Sequence, residues 1–102
     1  MQVFKFGGVS VKDAKSFKNV GQIIKSYGKM PLLVVVSAMG KTTRALEQLL
    51  ESKKDNSFEQ KWNELKGFHF NIMKDLFDSK HPVFIEINSR FTELAQLNYR
   101  AT

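Results

Sequence analysis

Apolar positions change period several times along the 102 residues, and each change marks an element. Residues 2–6, QVFKF, alternate and carry Val and Phe, predicting a short strand that stops at Gly7-Gly8. From Asp13 the period lengthens. Ala14, Phe17, Val20, Ile23, Ile24 and Tyr27 recur at three- and four-residue spacing, predicting one face of a helix over 13–27. Ser10 followed by Asp13 resembles a capping box, Gly28 suits the C′ position, and Pro31 stands just beyond. Residues 32–36, LLVVV, are apolar without alternation, as expected of a parallel strand covered on both faces. Strand, helix and strand make one βαβ unit with a right-handed crossover.

Helical spacing returns over 43–52. The segment KKDNS then reads as a polar break. Phe58, Trp62, Leu65, His69, Ile72, Met73, Leu76 and Phe77 predict a long third helix over 57–78. After a turn ending in Pro82, a fourth helix is expected over 83–99. Its first residues, VFIEI, also suit a strand, and Phe91 and Leu94 favour the helix. The class is α/β. Two strands are few for a buried parallel sheet, and the chain stops at Arg100-Ala101-Thr102 in or just after a helix. A fragment of a larger domain is expected.

Composition narrows the class of function. With 42% hydrophobic and 12% aromatic residues a core can form, and a charged fraction of 25% argues against disorder. No cysteine is present, which excludes a disulfide framework or thiolate metal site and suits a reducing compartment. No apolar run is long enough to span a membrane, and MQVFKFGG lacks a signal peptide's apolar segment. The chain reads as soluble and cytoplasmic. The net charge of +6 raises nucleic-acid binding, but the lysines are dispersed, with only Lys53-Lys54 adjacent, so no nucleic-acid partner is expected.

Two loops carry the candidate chemistry. VVVSAMGKTT, residues 34–43, imitates a P-loop at Gly40-Lys41-Thr42. A Walker loop needs a glycine five positions before that one, and Val35, inside the strand, stands there. The imitation is three residues deep. KFGGVS, residues 5–10, is more informative. Its paired glycines permit close approach by a ligand, and the next helix N-terminus favours an anion. Lys5 points away from the face of Phe4 and Phe6 at the carboxyl end of the strand, where it can neutralise a transferring phosphoryl group. SAMGKTT leaves the neighbouring parallel strand at the same sheet edge, bringing Ser37, Thr42 and Thr43 beside a second helix start.

VFKFGGVSV followed by VVVSAMGKTT resembles the opening of the aspartate kinases, of the amino-acid kinase superfamily, whose members typically begin K-F-G-G-T-S and continue to V-V-V-S-A-M-G. The likeness is good over residues 2 to about 50; beyond, it extends only to helical character. It implies the N-terminal, amino-acid-substrate side of a three-layer αβα kinase domain. The nucleotide-binding half and regulatory ACT domains would lie outside residues 1–102. It implies transfer of the ATP γ-phosphoryl to the side-chain carboxylate of L-aspartate, giving 4-phospho-L-aspartate, the first step towards lysine, threonine and methionine. Lys5 would be catalytic and, with Gly7 and Gly8, would bind the ATP phosphates. Ser37 and Thr43 would hold the amino acid, with Ala38, Met39 and Gly40 lining the second loop. Mg2+ would arrive with ATP rather than in a protein cage, and the parent would be a homo-oligomer. The family's Thr after the glycine pair is Val9 here, so a hydroxyl is lost, and Ser10 is either a cap or a wall of the site. By itself the fragment is expected not to turn over. Alternatives are a superfamily kinase acting on another acid or a carbamate, or a non-enzymatic α/β interaction module.

Other residues suggest chemistry and have simpler readings. His69 falls on the apolar stripe of the third helix and is expected to pack. His81 precedes Pro82 in a turn and is expected at the surface. Trp62, Phe68 and Phe70 would make a stacking platform only if exposed. Glu64, Asp75, Asp78, Glu86 and Glu93 lack metal-ligand spacing.

Overall fold

The computed structural model describes residues 1–52 and 57–100, and side chains through residue 96; the polar break expected at KKDNS lies largely outside the described residues. Strand β1 (Gln2–Phe6) is followed by a 3₁₀ turn (Gly8–Val11), helix α1 (Ala14–Ser26) and strand β2 (Leu32–Val36). Helices α2 (Thr42–Glu51), α3 (Phe58–Leu76) and α4 (Val83–Arg100) complete the order. The strands are parallel, with Gln2 opposite Leu32 and Phe6 opposite Val36, so they end level with each other. Both loops therefore leave the sheet at one edge. VFIEI is helical, the first turn of α4 following Pro82.

The fold core forms where α1 crosses one face of the strands. Phe6, Val11 and Val20 are buried there, with Phe4, Phe17, Ile23, Ile24 and Val34 packed around them. Burying each such side chain stabilises by roughly 1.5–3 kcal/mol. The opposite face corrects the expectation for LLVVV. Leu33 and Val35 are about half exposed, as is Val3, because α1 covers one face only; Val36 alternates onto the covered face and is half exposed at the strand's end. A second seam joins α3 to α4, where Phe91 is buried and meets Trp62, His69 and Phe70 at ring-centroid distances of 5.6, 5.4 and 6.3 Å. These half-buried rings are interlocked packing, so they make no stacking platform. His69 packs as expected, its Nδ1 3.0 Å from the Leu65 carbonyl oxygen. His81 is exposed, and its Nδ1 accepts the Val83 N–H at the start of α4.

α1 ends as its sequence suggests, with Tyr27 as the C-cap and Gly28 at φ 60°. Its start differs. The cap is Asp13, whose carboxylate accepts the Ser16 N–H at 2.8 Å, while Ser10 lies one turn earlier in the 3₁₀ segment. The 3₁₀ turn buries Val11 ahead of α1, and the cap is Asp13 rather than Ser10, while the helix itself begins within one residue of the expected position. The Ser16 side-chain and backbone hydrogen bonds hold the Asp13 carboxyl below its ordinary range, with Lys12 and Lys15 assisting against slight desolvation. The ionised form thus favours the fold above the ordinary carboxylate value, and that contribution is lost as pH falls through the depressed one. Asp13→Ala should lower the melting temperature at neutral pH, and the gap to wild type should close on acidification.

Candidate functional site

The strand ladder runs one step past the strands, since the Ser37 N–H donates to the Phe6 carbonyl at 2.9 Å. One residue earlier, Lys5 stands opposite Val35 on the open face of the sheet. Strand alternation puts Ser37 on that same face, and both residues are exposed. The loops then meet. The Gly40 N–H donates to the Gly8 carbonyl at 3.2 Å, and a Cβ at Gly8 would lie 2.6 Å from the Gly40 carbonyl oxygen. No side chain fits between two backbones at that distance, so glycine at position 8 is what lets the loops touch. At Gly7 an added Cβ meets nothing within 4 Å. Of the pair, it is Gly8 that this contact requires to be glycine.

The helix ends differ as well. α1 is closed by the Asp13 carboxylate, which occupies the place an anion would take. This corrects the expectation that α1 offers its N-terminus to phosphate. Only the first N–H groups of the 3₁₀ turn, at Gly8 and Val9, remain beside the first loop without an intrahelical acceptor. α2, by contrast, has Lys41 at its N-cap, no side-chain cap and no acid in its first turn. Its N-terminus is the electropositive one, and it faces the second loop. The stretches 5–12 and 37–44 hold Lys5, Lys12, Lys41 and Arg44 and no carboxylate. The donor set fits anions. Among the described residues no group of three or more His, Cys, Asp or Glu could hold a metal.

The two threonines separate cleanly. Thr42 is buried, and its hydroxyl donates to the Met39 carbonyl, closing the turn into α2. Thr43 is exposed in the first turn, and its hydroxyl is available to a ligand. Ala38 is exposed, Met39 is half-buried, and Gly40 has φ 54°, a conformation that favours glycine. Lys5, Gly8, Ser37 and Gly40 are thus gathered at one edge, with Thr43 on the first turn of α2.

α3 was not foreseen as part of this arrangement. A Cβ at Gly40 would lie 3.2 Å from Cζ of Phe68 and 3.6 Å from Cα of Lys12. Behind the loop, a cleft of about 330 Å³ is lined by Lys12, Lys41, Ala45, Lys61, Leu65 and Phe68, among others. Lys5, Ser37 and Thr43 do not line it, whereas Gly40 and two of the cations named above, Lys12 and Lys41, do. The only trace of Phe68 in the sequence is its place off the apolar stripe of α3.

Comparison with known proteins identifies the family. A family model described as the amino acid kinase family matches residues 1–98. Aspartokinase 1, chloroplastic, of Arabidopsis thaliana is 34% identical over 79 residues, covering 72% of this chain and 14% of that protein. Aspartokinase 2, chloroplastic, of the same plant is 48% identical over 44 residues, covering 43% of the chain and 8% of that protein. The chain therefore spans about a seventh of the first relative's length and less of the second. Its α/β architecture, its parallel strand pair and a match over nearly its whole length place the chain in the amino acid kinase family.

Proposed function

We propose that this chain is the acceptor side of an aspartate kinase, which transfers the γ-phosphoryl group of ATP to the side-chain carboxylate of L-aspartate. The observation that carries the reading is the backbone contact of the two loops at Gly8 and Gly40, beside the strand ends where the parallel register sets Lys5 and Ser37 on one face. The names of the two relatives support aspartate as the acceptor. In this reading Lys5 balances charge on the phosphoryl group as it passes between two anions, a mainly electrostatic task. Gly7 and Gly8 keep the first loop low enough for the phosphates to approach the backbone. Ser37 and Thr43 bind the amino acid, and the uncapped N-terminus of α2 favours its negative charge. Mg2+ would be carried in with ATP and would supply charge neutralisation there, since the residues of the two loops offer it no carboxylate.

The partners are then the two small substrates, with no nucleic acid, in a homo-oligomeric parent. No helix among the described residues is long and apolar enough to cross a membrane. A cytoplasmic location belongs to this proposal, although both relatives are named chloroplastic. Supplying the full-length protein with aspartate, glutamate, N-acetylglutamate and carbamate in turn tests the acceptor: aspartate should give the highest ATP-dependent turnover. Preference for another acceptor moves the protein elsewhere in the family.

The threonine pair gives a sharper check. Thr42→Val removes the bond to Met39 and should cost about 1 kcal/mol of stability. Thr43→Val should leave thermal melting unchanged and raise the aspartate KM about tenfold, on the order of one lost substrate hydrogen bond. Steady-state kinetics and melting curves of both variants separate the two roles.

A further inference from the structure

Two elements besides its own meet the second loop at Gly40. The Gly40 N–H donates to the Gly8 carbonyl, and on the side where a Cβ would project from Gly40 stand the Lys12 backbone and the Phe68 ring. Gly40 holds φ 54°, a backbone state with no side chain of its own to anchor it. The cleft behind the loop is open space lined partly by Phe68. Truncating that ring would join the cleft to the space beneath Gly40 and give the loop somewhere to go. Gly8 and Lys12 belong to the first loop and its 3₁₀ turn, whereas Phe68 comes from α3, outside both glycine motifs.

We infer that Phe68 is a positioning residue: it sets the height of the second loop and so the placement of the residues that hold the acceptor. The inference rests on the acceptor-binding reading of that loop, and it assigns α3 a part in substrate selection. A ring that holds only this loop acts on one substrate. Loss of the ring should therefore weaken the acceptor and spare the nucleotide, which is placed by the first loop. A ring that merely supports the scaffold would affect both substrates alike.

In full-length protein, Phe68→Ala should lower kcat/KM for aspartate roughly 10- to 100-fold, the scale of a small misplacement of a bound group, mainly through KM. The KM for ATP should stay within about twofold, since no interaction on that side is lost. Phe68→Leu, which keeps an apolar branch against Gly40, should recover most of the loss. Hydrogen exchange supplies a readout independent of turnover. In Phe68→Ala the Gly40 amide, bonded to Gly8, should exchange about tenfold faster or more, while the Val20 amide in α1 keeps its wild-type rate. Should Phe68→Ala not fold, Phe68→Val carries the same comparison. An unchanged aspartate KM with unchanged Gly40 exchange overturns the inference, as does an equal rise in both KM values. If the wild-type protein phosphorylates no acceptor, the kinase reading fails, and the Gly40 exchange rate alone still decides whether Phe68 positions the loop.

Discussion

Lys5→Ala in the full-length protein should lower kcat by roughly 10²- to 10³-fold, the usual consequence of losing one preorganised group that balances developing charge. The fold should survive intact. Lys5 is exposed on the open sheet face, among neighbours Val3 and Val35 that pack without it, and no described ion pair or hydrogen bond involves its ammonium group. Lys5 lies on the strand face that α1 leaves open, so no described packing or pairing contact depends on it. Melting temperature should accordingly match wild type while turnover collapses. Lys5→Arg keeps the charge on a larger, planar head and should recover only part of the rate. Normal turnover in Lys5→Ala would remove this residue from the chemistry and, with it, the main role given to the first loop.

The second large effect belongs to Gly8→Ala. Its new Cβ would sit 2.6 Å from the carbonyl oxygen of Gly40, and both partners are backbone, so neither can swing aside. Relief requires the loops to separate, at about 1–3 kcal/mol by analogy with overpacked interiors. Separation also breaks the 3.2 Å bond between Gly40 and Gly8 and moves Ser37 and Thr43 relative to Lys5. Loss of kcat/KM comparable to that of Lys5→Ala is expected, now accompanied by a lower melting temperature. Gly7→Ala is the control for stability, because Gly7 shares the first loop but not the contact with Gly40. Gly7 has φ −78° and ψ 178°, which alanine adopts readily, and its added methyl meets open space. Stability should hold or rise by about 0.4–1 kcal/mol, because alanine restricts the unfolded chain. An equal fall in melting temperature at the two positions would show that the contact with Gly40 is not what requires glycine at position 8.

The parts of this fold that were legible in the sequence are those set by local chemistry. Periodicity located both strands and all four helices within a few residues, because each apolar face is written at fixed spacing. Gly28 marked the end of α1 for the same reason: a positive φ narrows the choice of residue. What escaped depends on distant partners. Ser10 and Asp13 both look like caps, and it is Asp13 that caps α1, after a 3₁₀ turn that buries Val11. LLVVV reads as a strand covered twice, yet α1 covers it once; the pattern records burial without saying what supplies it.

The site shows the same division. Lys5, Ser37 and the two glycine loops could be recognised because strand ends and glycines follow one another in order. That Gly8 touches Gly40 and Gly7 does not, and that Phe68 meets the loop from α3, are contacts across sequence separations that no spacing rule encodes, whereas the Thr42 bond to Met39, three residues back, is a local turn. These contacts convert two motifs into one arrangement. They also show where anions are favoured: at the uncapped start of α2, and not at α1, whose own carboxylate has taken the position.

The central claim is that these loops serve phosphoryl transfer to a carboxylate, and its direct test is capture of the product. An acyl phosphate reacts with hydroxylamine to give a hydroxamate, whereas simple ATP hydrolysis gives none. Full-length protein incubated with ATP, Mg2+, L-aspartate and hydroxylamine should form aspartyl hydroxamate in step with ADP, and the Lys5→Ala variant should form almost none. ADP release without hydroxamate, or hydroxamate formed equally well by Lys5→Ala, would contradict the account.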